Sequence, residues 1–410
     1  MSAAPLLLIE NGELFDPEPR GRQSILIGGG KILHVGAFDP TVIEGQGVEC
    51  DVIDAAGRIV TPGFIDPHEH LLGGSGEQGF ATQSPEIRLA EIVQAGITTV
   101  VGCLGVDTTM KTMPGLLARA KALREEGITA FLYTGGYNVP PTTILNSVRD
   151  DILFIAEVIG AGEIAIADER STDPNPQELA RLVDDAHVGG MLAAKAGVTH
   201  FHVGPGKKRL ALLRTIIDDF DLNPEWLYPS HIGRSEKLLD EAVALAKRGS
   251  HVDIDTVEQD LHRWLKRYLD RGGPTDRFTV SSDAAITSPT NLFNQIRDCI
   301  VEHAMPTELV LSLVTANPAR VLKLASKGSL RVGGDADVLV IALDHWELVE
   351  VIAGGRRLLE DGQLKEREKF EMNSNRAFVV AGAQGPSKSA SNGAPMAGTA
   401  FAASGSNDGQ

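Results

Sequence analysis

The chain has 410 residues, 42% hydrophobic and 23% charged, enough for a barrel-sized core with a smaller domain beside it. A formal charge of −17 at pH 7 argues against nucleic acid and anionic membrane as partners, because phosphate binding calls for clustered Lys and Arg. The three cysteines, Cys50, Cys103 and Cys299, are scattered and odd in number, which excludes a disulfide framework and a Cys-based zinc site.

The first residues, MSAAPLLLIENGELFD, have no basic leader and only a short apolar run, so they read as neither signal peptide nor anchor. No stretch has the length of a membrane span, and a reducing cytoplasm is the expected compartment. Residues 6–60 break into short β-type runs with Gly-rich turns, and the same texture returns over 328–362. The expectation is one small β-sandwich domain built from both chain ends, 1–60 plus 328–370. After Phe370 small and polar residues dominate, which predicts a disordered tail over 371–410.

Between these ends, over 61–327, apolar runs recur at 60–66, 97–105, 128–137, 163–168, 198–204, 227–233, 251–256 and 278–284. Patterns such as PGLLARAKALREEG and SEKLLDEAVALAKRG separate them, apolar at helical spacing and stopped by Gly. TVEQDLHRWLKRYLDR (256–271) reads as a helix with a solvated charged face. Eight strand-then-helix units predict an α/β fold of the (β/α)8 TIM-like barrel type, with function at the C-terminal strand ends. An open doubly wound sheet is the rival, but the G-x-G-x-x-G opening is absent after the first strand.

The strand ends collect the chemistry. In PGFIDPHEHLLGGSGEQG (62–79), His68 and His70 are two apart and share one strand face. The fourth strand carries Glu163, and the fifth ends with His202, preceded by His200 on the same face. The sixth ends with His231 and Arg234, the eighth with Asp283. Four histidines, a Glu and an Asp at one barrel end form a nitrogen and oxygen donor set suited to two zinc ions. Two ions can share and ionise a water and polarise a carbonyl, while a neighbouring carboxylate moves the proton. His34, His187, His251, His262, His303 and His345 lie outside this set and read as surface or core, and Cys103 reads as a small core residue.

With PGFIDPHEHLLGGSGEQG, the segments TGGYNVP (134–140), DERS (168–171), FHVG (201–204), SHIGR (230–234) and TVSSD (279–283) resemble, in order, the isoaspartyl dipeptidase family of the amidohydrolase superfamily. The resemblance covers residues 1–370. It implies hydrolysis of β-aspartyl dipeptides to aspartate and an amino acid by a metal-bridging hydroxide, with Asp283 as metal ligand and proton shuttle. His68 and His70 would bind the more buried ion, His202 and His231 the more exposed one. Tyr137 would donate to the oxyanion, Glu77 would hold the substrate ammonium, and Arg170 and Arg234 would clamp the leaving carboxylate. Thr287 would contact the aspartyl α-carboxylate, and Gly74 and Ser75 belong to a Gly-rich turn that lets backbone approach the substrate. A homo-oligomer, an octamer built from dimers, is also implied by the resemblance.

Two departures stand out. The family bridges its metals with a carboxylated lysine; here Glu163 stands seven residues before Arg170, with one residue added between Gly160 and Glu163. Val106 occupies a position where the family has a hydroxyl. The alternatives are a cyclic amide hydrolase of the dihydroorotase or hydantoinase type, and a metal-free scaffold on the same fold. The leaving residue, Leu or Arg for example, stays open.

Overall fold

A computed structural model describes residues 6–376 except 45 and 366. Five strands open the chain: β1 (Leu6–Phe15), β2 (Pro19–Gly28), β3 (Lys31–Gly36), β4 (Cys50–Asp54) and β5 (Arg58–Pro62). Eight follow, each separated from the next by helix: β6 (Phe64–Glu69), β7 (Ile97–Gly102), β8 (Thr129–Thr134), β9 (Val158–Ile166), β10 (Val198–Val203), β11 (Leu227–Ser230), β12 (Val252–Asp255) and β13 (Phe278–Ser281). The last four are β14 (Val338–Ala342), β15 (Glu347–Ala353), β16 (Arg356–Glu360) and β17 (Gln363–Leu364).

β6 to β11 pair in chain order as one parallel sheet, and β12 pairs with β13. The ring closes where the Asp283 amide donates to His68 O (3.0 Å) and the His70 amide to Ala284 O (2.9 Å). Side chains cross the seam between β11 and β12, Ser230 Oγ donating to Asp253 Oδ2 at 2.8 Å. The expected barrel is therefore present, with helices such as Met113–Glu126 and Glu236–Lys247 outside it. Side-chain caps start them: Thr112 accepts from the Gly115 amide and Ser235 from that of Leu238.

Strands from both chain ends form one nine-stranded sheet, in which β5 links β1 to β14. The β2–β3 turn bonds back to the chain entering β14 (Ile32 N to Gly334 O and Ala336 N to Gly30 O, both 3.0 Å), so the sheet curls over itself. Its alternation is sorted by this curl. Ile9, Ile25, Val60, Val338 and Ile352 pack together on one side, whereas Ile59, Leu339, Ile341 and Val351 join the core that also holds Phe64, Ile92 and Ile97 of the barrel. Lys369–Met372 is a short helix that runs into the expected tail, and Glu368 pairs with both Arg88 and Arg119. From 377 on, the expected disordered tail lies outside the described residues.

β9 departs from the sequence reading and decides the site. It begins at Val158, because the glycines of VIGAGEIAI dilute its apolar signal, and Glu163 lies inside it rather than at its start. Thr199 of β10 pairs with Ala161 but Phe201 with Ile164, so Gly162 and Glu163 together oppose His200. This one-residue bulge resets the alternation and turns Glu163 into the barrel alongside His200 and His202. Gly162 has φ +146°, and a Cβ there would lie 2.7 Å from His200 O. Gly162→Ala should lower stability by about 2–3 kcal/mol, the cost of one strained residue in a packed strand, read as a fall in denaturation midpoint.

Candidate metal centre and cleft

The ligand candidates stand where strands end. His68 and His70 project from the end of β6, steadied by buried Asp66, which accepts from the His68 amide at 3.2 Å and the Ser282 amide at 3.1 Å. Burial raises the Asp66 carboxyl to about 6 despite those bonds. His231 and Asp283 follow β11 and β13 in left-handed conformations, φ 62° and 46°. Such a turn lets a side chain reach back over the barrel mouth.

The imidazoles surround Glu163, which has no exposure. Glu163 Oε1 lies 2.9 Å from His202 Nδ1, 3.1 Å from His231 Nε2 and 3.3 Å from His68 Nε2; Oε2 faces His70 Nε2 at 3.8 Å. Asp283 Oδ1 is 3.1 Å from His70 Nε2 and 3.3 Å from His68 Nε2. Burial alone would push both carboxyls up, but the imidazoles outweigh it and hold each well below the usual carboxylate range. Both are ionised at neutral pH.

The donor set fits a metal centre. Ligand atoms of His68, His70, Cys103 and Glu163 lie within 4.8 Å of one another, and so do those of Glu163, His202 and His231. His68 Nε2 and Glu163 Oε2 are buried without a hydrogen-bond partner, although both point into the cluster. Buried groups of this kind are normally satisfied, and a cation between them would do so. The two groups share Glu163, which places a carboxylate between two possible ion positions.

Above the cluster is a cleft of about 320 Å³ lined by His70, Gly74, Ser75, Glu77, Val106, Lys111, Tyr137, Arg170, His202, Arg234 and Asp283. Arg170 donates to Glu77 Oε1 at 2.7 Å and grips Asp168 through two nitrogens at 2.7 and 2.8 Å. Arg234 donates to Val203 O at 2.8 Å, and both guanidinium groups lie within 3.1 Å of His202 Nε2. The Tyr137 hydroxyl is 2.8 Å from His202 Nδ1, and burial keeps this phenol protonated well above its ordinary range.

The amidohydrolase family model matches residues 59–377. The chain belongs to the amidohydrolase family. Two crystal structures of a beta-aspartyl dipeptidase from Fervidobacterium islandicum AW-1 are similar to it at 38% and 37% identity, the second holding a beta-Asp-Leu dipeptide. They align over 88% and 89% of this chain and 99% of that one, with TM-scores of 0.84 and 0.85. A dihydroorotase of Lactobacillus johnsonii is 24% identical over 82% of this chain and 89% of its own. An imidazolonepropionase of Myxococcus xanthus is 33% identical, but the match spans only 32% of each chain.

In this amidohydrolase the expected metal-binding residues all converge, as do Tyr137, Glu77, Arg170, Arg234, Gly74 and Ser75. Thr287 does not: Ala285 and Ile286 line the cleft after β13, and Thr287 is not among the lining residues. The reading of 256–271 as one helix is corrected, since the helix is Leu261–Asp270. Asp255 accepts the Val257 amide, and Gln295 accepts the Leu261 amide while donating to Thr256 O and Glu258 O, which bends the chain between them. Val257–Asp260 then walls a second cavity of about 810 Å³ beside Arg234.

Three side chains were given no role at the site by the sequence reading. Asp255 accepts from His231 Nδ1 at 2.7 Å, leaving Nε2 free to face Glu163. Asp168 orients Arg170 and lies 3.2 Å from His202 Nε2. Cys103, expected as plain core, has its sulfur 3.7 Å from His70 Nδ1, opposite the nitrogen that faces Asp283. His200 packs edge-on to His68 at 4.6 Å, with neither ring nitrogen hydrogen-bonded, whereas His187 and His262 stack outside the site on Trp226 and His303.

Asp255→Asn should lower metal affinity by about 10–100-fold, the usual cost of removing a group that orients a ligating imidazole. Glu163→Ala should lower the number of bound ions per chain. Equilibrium dialysis with elemental analysis of the dialysed protein checks both.

Proposed function

We propose that this amidohydrolase cleaves β-aspartyl dipeptides into aspartate and a free amino acid, using two divalent ions, zinc foremost, bridged by Glu163. His68 and His70, His202 and His231, and Asp283 would hold them. One observation carries the reading: the ligand cluster shares its cleft with a carboxylate, Glu77, and two guanidinium groups, Arg170 and Arg234, and Glu77 and Arg170 touch at 2.7 Å. A dipeptide brings an ammonium and a carboxylate across a scissile amide, and this wall chemistry answers both. The similarity to a dipeptidase bound to beta-Asp-Leu supports it.

When bound, the ions would supply Lewis-acid polarisation of the carbonyl and a lowered pKa for the attacking water. The chain's own groups do the rest. Asp283, ionised and facing the cleft, takes a proton from that water and returns it to the leaving amine nitrogen. Tyr137, kept protonated by burial, donates its O–H to the oxygen that gains charge. Arg170 and Arg234 fork the carboxylate of the leaving residue, and Asp168 keeps Arg170 charged and aimed. Glu77 exchanges its contact with Arg170 for the substrate ammonium.

The dihydroorotase similarity favours a second reading, a cyclic amide substrate, which has no use for an ammonium site. Metal-loaded protein should cleave β-Asp-Leu and leave α-Asp-Leu and dihydroorotate intact, and a chelator should abolish the activity. Turnover of dihydroorotate alone would overturn the dipeptidase reading. Asp283→Asn should lower kcat by about 10²–10⁴-fold with the fold retained, the scale of a lost general acid-base group, as stopped assays and circular dichroism would show. Glu77→Gln should raise KM for β-Asp-Leu by about tenfold or more with bound metal unchanged, the scale of a lost charged hydrogen bond.

A further inference from the structure

Three cations line the cleft, and two of them have carboxylate partners. Arg170 pairs with Glu77 and Asp168, and Arg234 lies 3.8 Å from Asp168. Lys111 pairs with no carboxylate among the described residues. Its Nζ donates to Leu72 O at 2.6 Å, which uses one of three N–H groups, and Asp107 and Glu86 act on it only through space. Asp107 is committed to shaping the loop, accepting the amides of Thr109 (3.0 Å) and Met110 (2.8 Å). Partial burial without a partner pushes the ammonium pKa of Lys111 down, and an incoming anion would relieve that.

Topology sets Lys111 apart from the guanidinium pair. Its loop follows β7, the second strand of an eight-strand ring, whereas Arg170 follows the fourth and Arg234 the sixth. In an eight-strand ring the second and sixth strands are four apart, across the barrel mouth from one another. Val106, beside Lys111 on that wall, has no polar side-chain atom to offer a ligand.

We infer that Lys111 is a second anion anchor, binding a carboxylate on the acyl side of the scissile amide opposite the Arg170–Arg234 pair. The preferred substrate then carries a carboxylate on each side of the bond. This rests on the β-aspartyl reading, in which the anchored group is the aspartyl α-carboxylate.

The test compares β-Asp-Leu with its counterpart bearing an aspartyl α-carboxamide, in wild type, Lys111→Met and Lys111→Arg, each with two ions bound by elemental analysis. Wild type should prefer the carboxylate substrate about 10- to 100-fold in kcat/KM, the scale of a charge-assisted hydrogen bond. Lys111→Met should raise KM for β-Asp-Leu by that factor, leave kcat within about threefold, and abolish the preference; Lys111→Arg should restore most of it. A Lys111→Met enzyme that keeps the wild-type preference overturns the anchor and leaves the dipeptidase reading standing. A wild type that binds metal and cleaves neither compound overturns both. An equal fall in kcat on both substrates marks Lys111 as a support for Leu72 and overturns its role as anchor.

Discussion

Glu163 is a carboxylate with no access to water, enclosed by four imidazoles and facing Asp283 across them. A lone buried charge would be expelled or neutralised; here the surrounding rings hold it ionised. Every other feature of the barrel mouth is arranged around that contact. The bulge in β9 aims Glu163 inward, Asp66 steadies the backbone that carries His68, and Asp255 and Cys103 each occupy the far nitrogen of a histidine. The outer partners fix which ring nitrogen is free, which is what a metal ligand needs from its surroundings.

The cleft also shows how local charge escapes the global balance. In a chain of net charge −17, Arg170, Arg234 and Lys111 share one opening with Glu77, Asp107 and Asp283, three cations against three carboxylates. Fields inside a low-dielectric cleft are set by the nearest groups, and distant acidic residues are screened. The cleft therefore presents both signs of charge, with Arg170 in contact with both Glu77 and Asp168.

The β domain and the barrel are joined through a shared core rather than a linker. Ile59, Leu339, Ile341 and Val351 pack with Phe64 and Ile97, and the Gly63 amide donates to Asp337 O at 2.9 Å at the junction. β5 runs into β6 with one residue between them, so the strand that carries His68 and His70 is fixed at its start by the β domain. Among the described residues no helix is long and apolar enough to cross a membrane.

Much of this was legible along the chain. Period-two alternation, Gly-stopped helical spacing and histidines at strand ends are local properties, so the eight strands, the β domain from both ends and the set His68, His70, His202, His231 and Asp283 could be read from residue order. The approach of Glu163 to those histidines could not, because it depends on one residue's slip between β9 and β10. Nor could the bend at 256–260, made by Gln295 from a later helix. Residue order by itself determined which groups reach the barrel mouth, since alternation and turn chemistry act between neighbours. Only the tertiary structure decided which atoms of those groups face one another, because that depends on contacts between strands and loops tens to hundreds of residues apart.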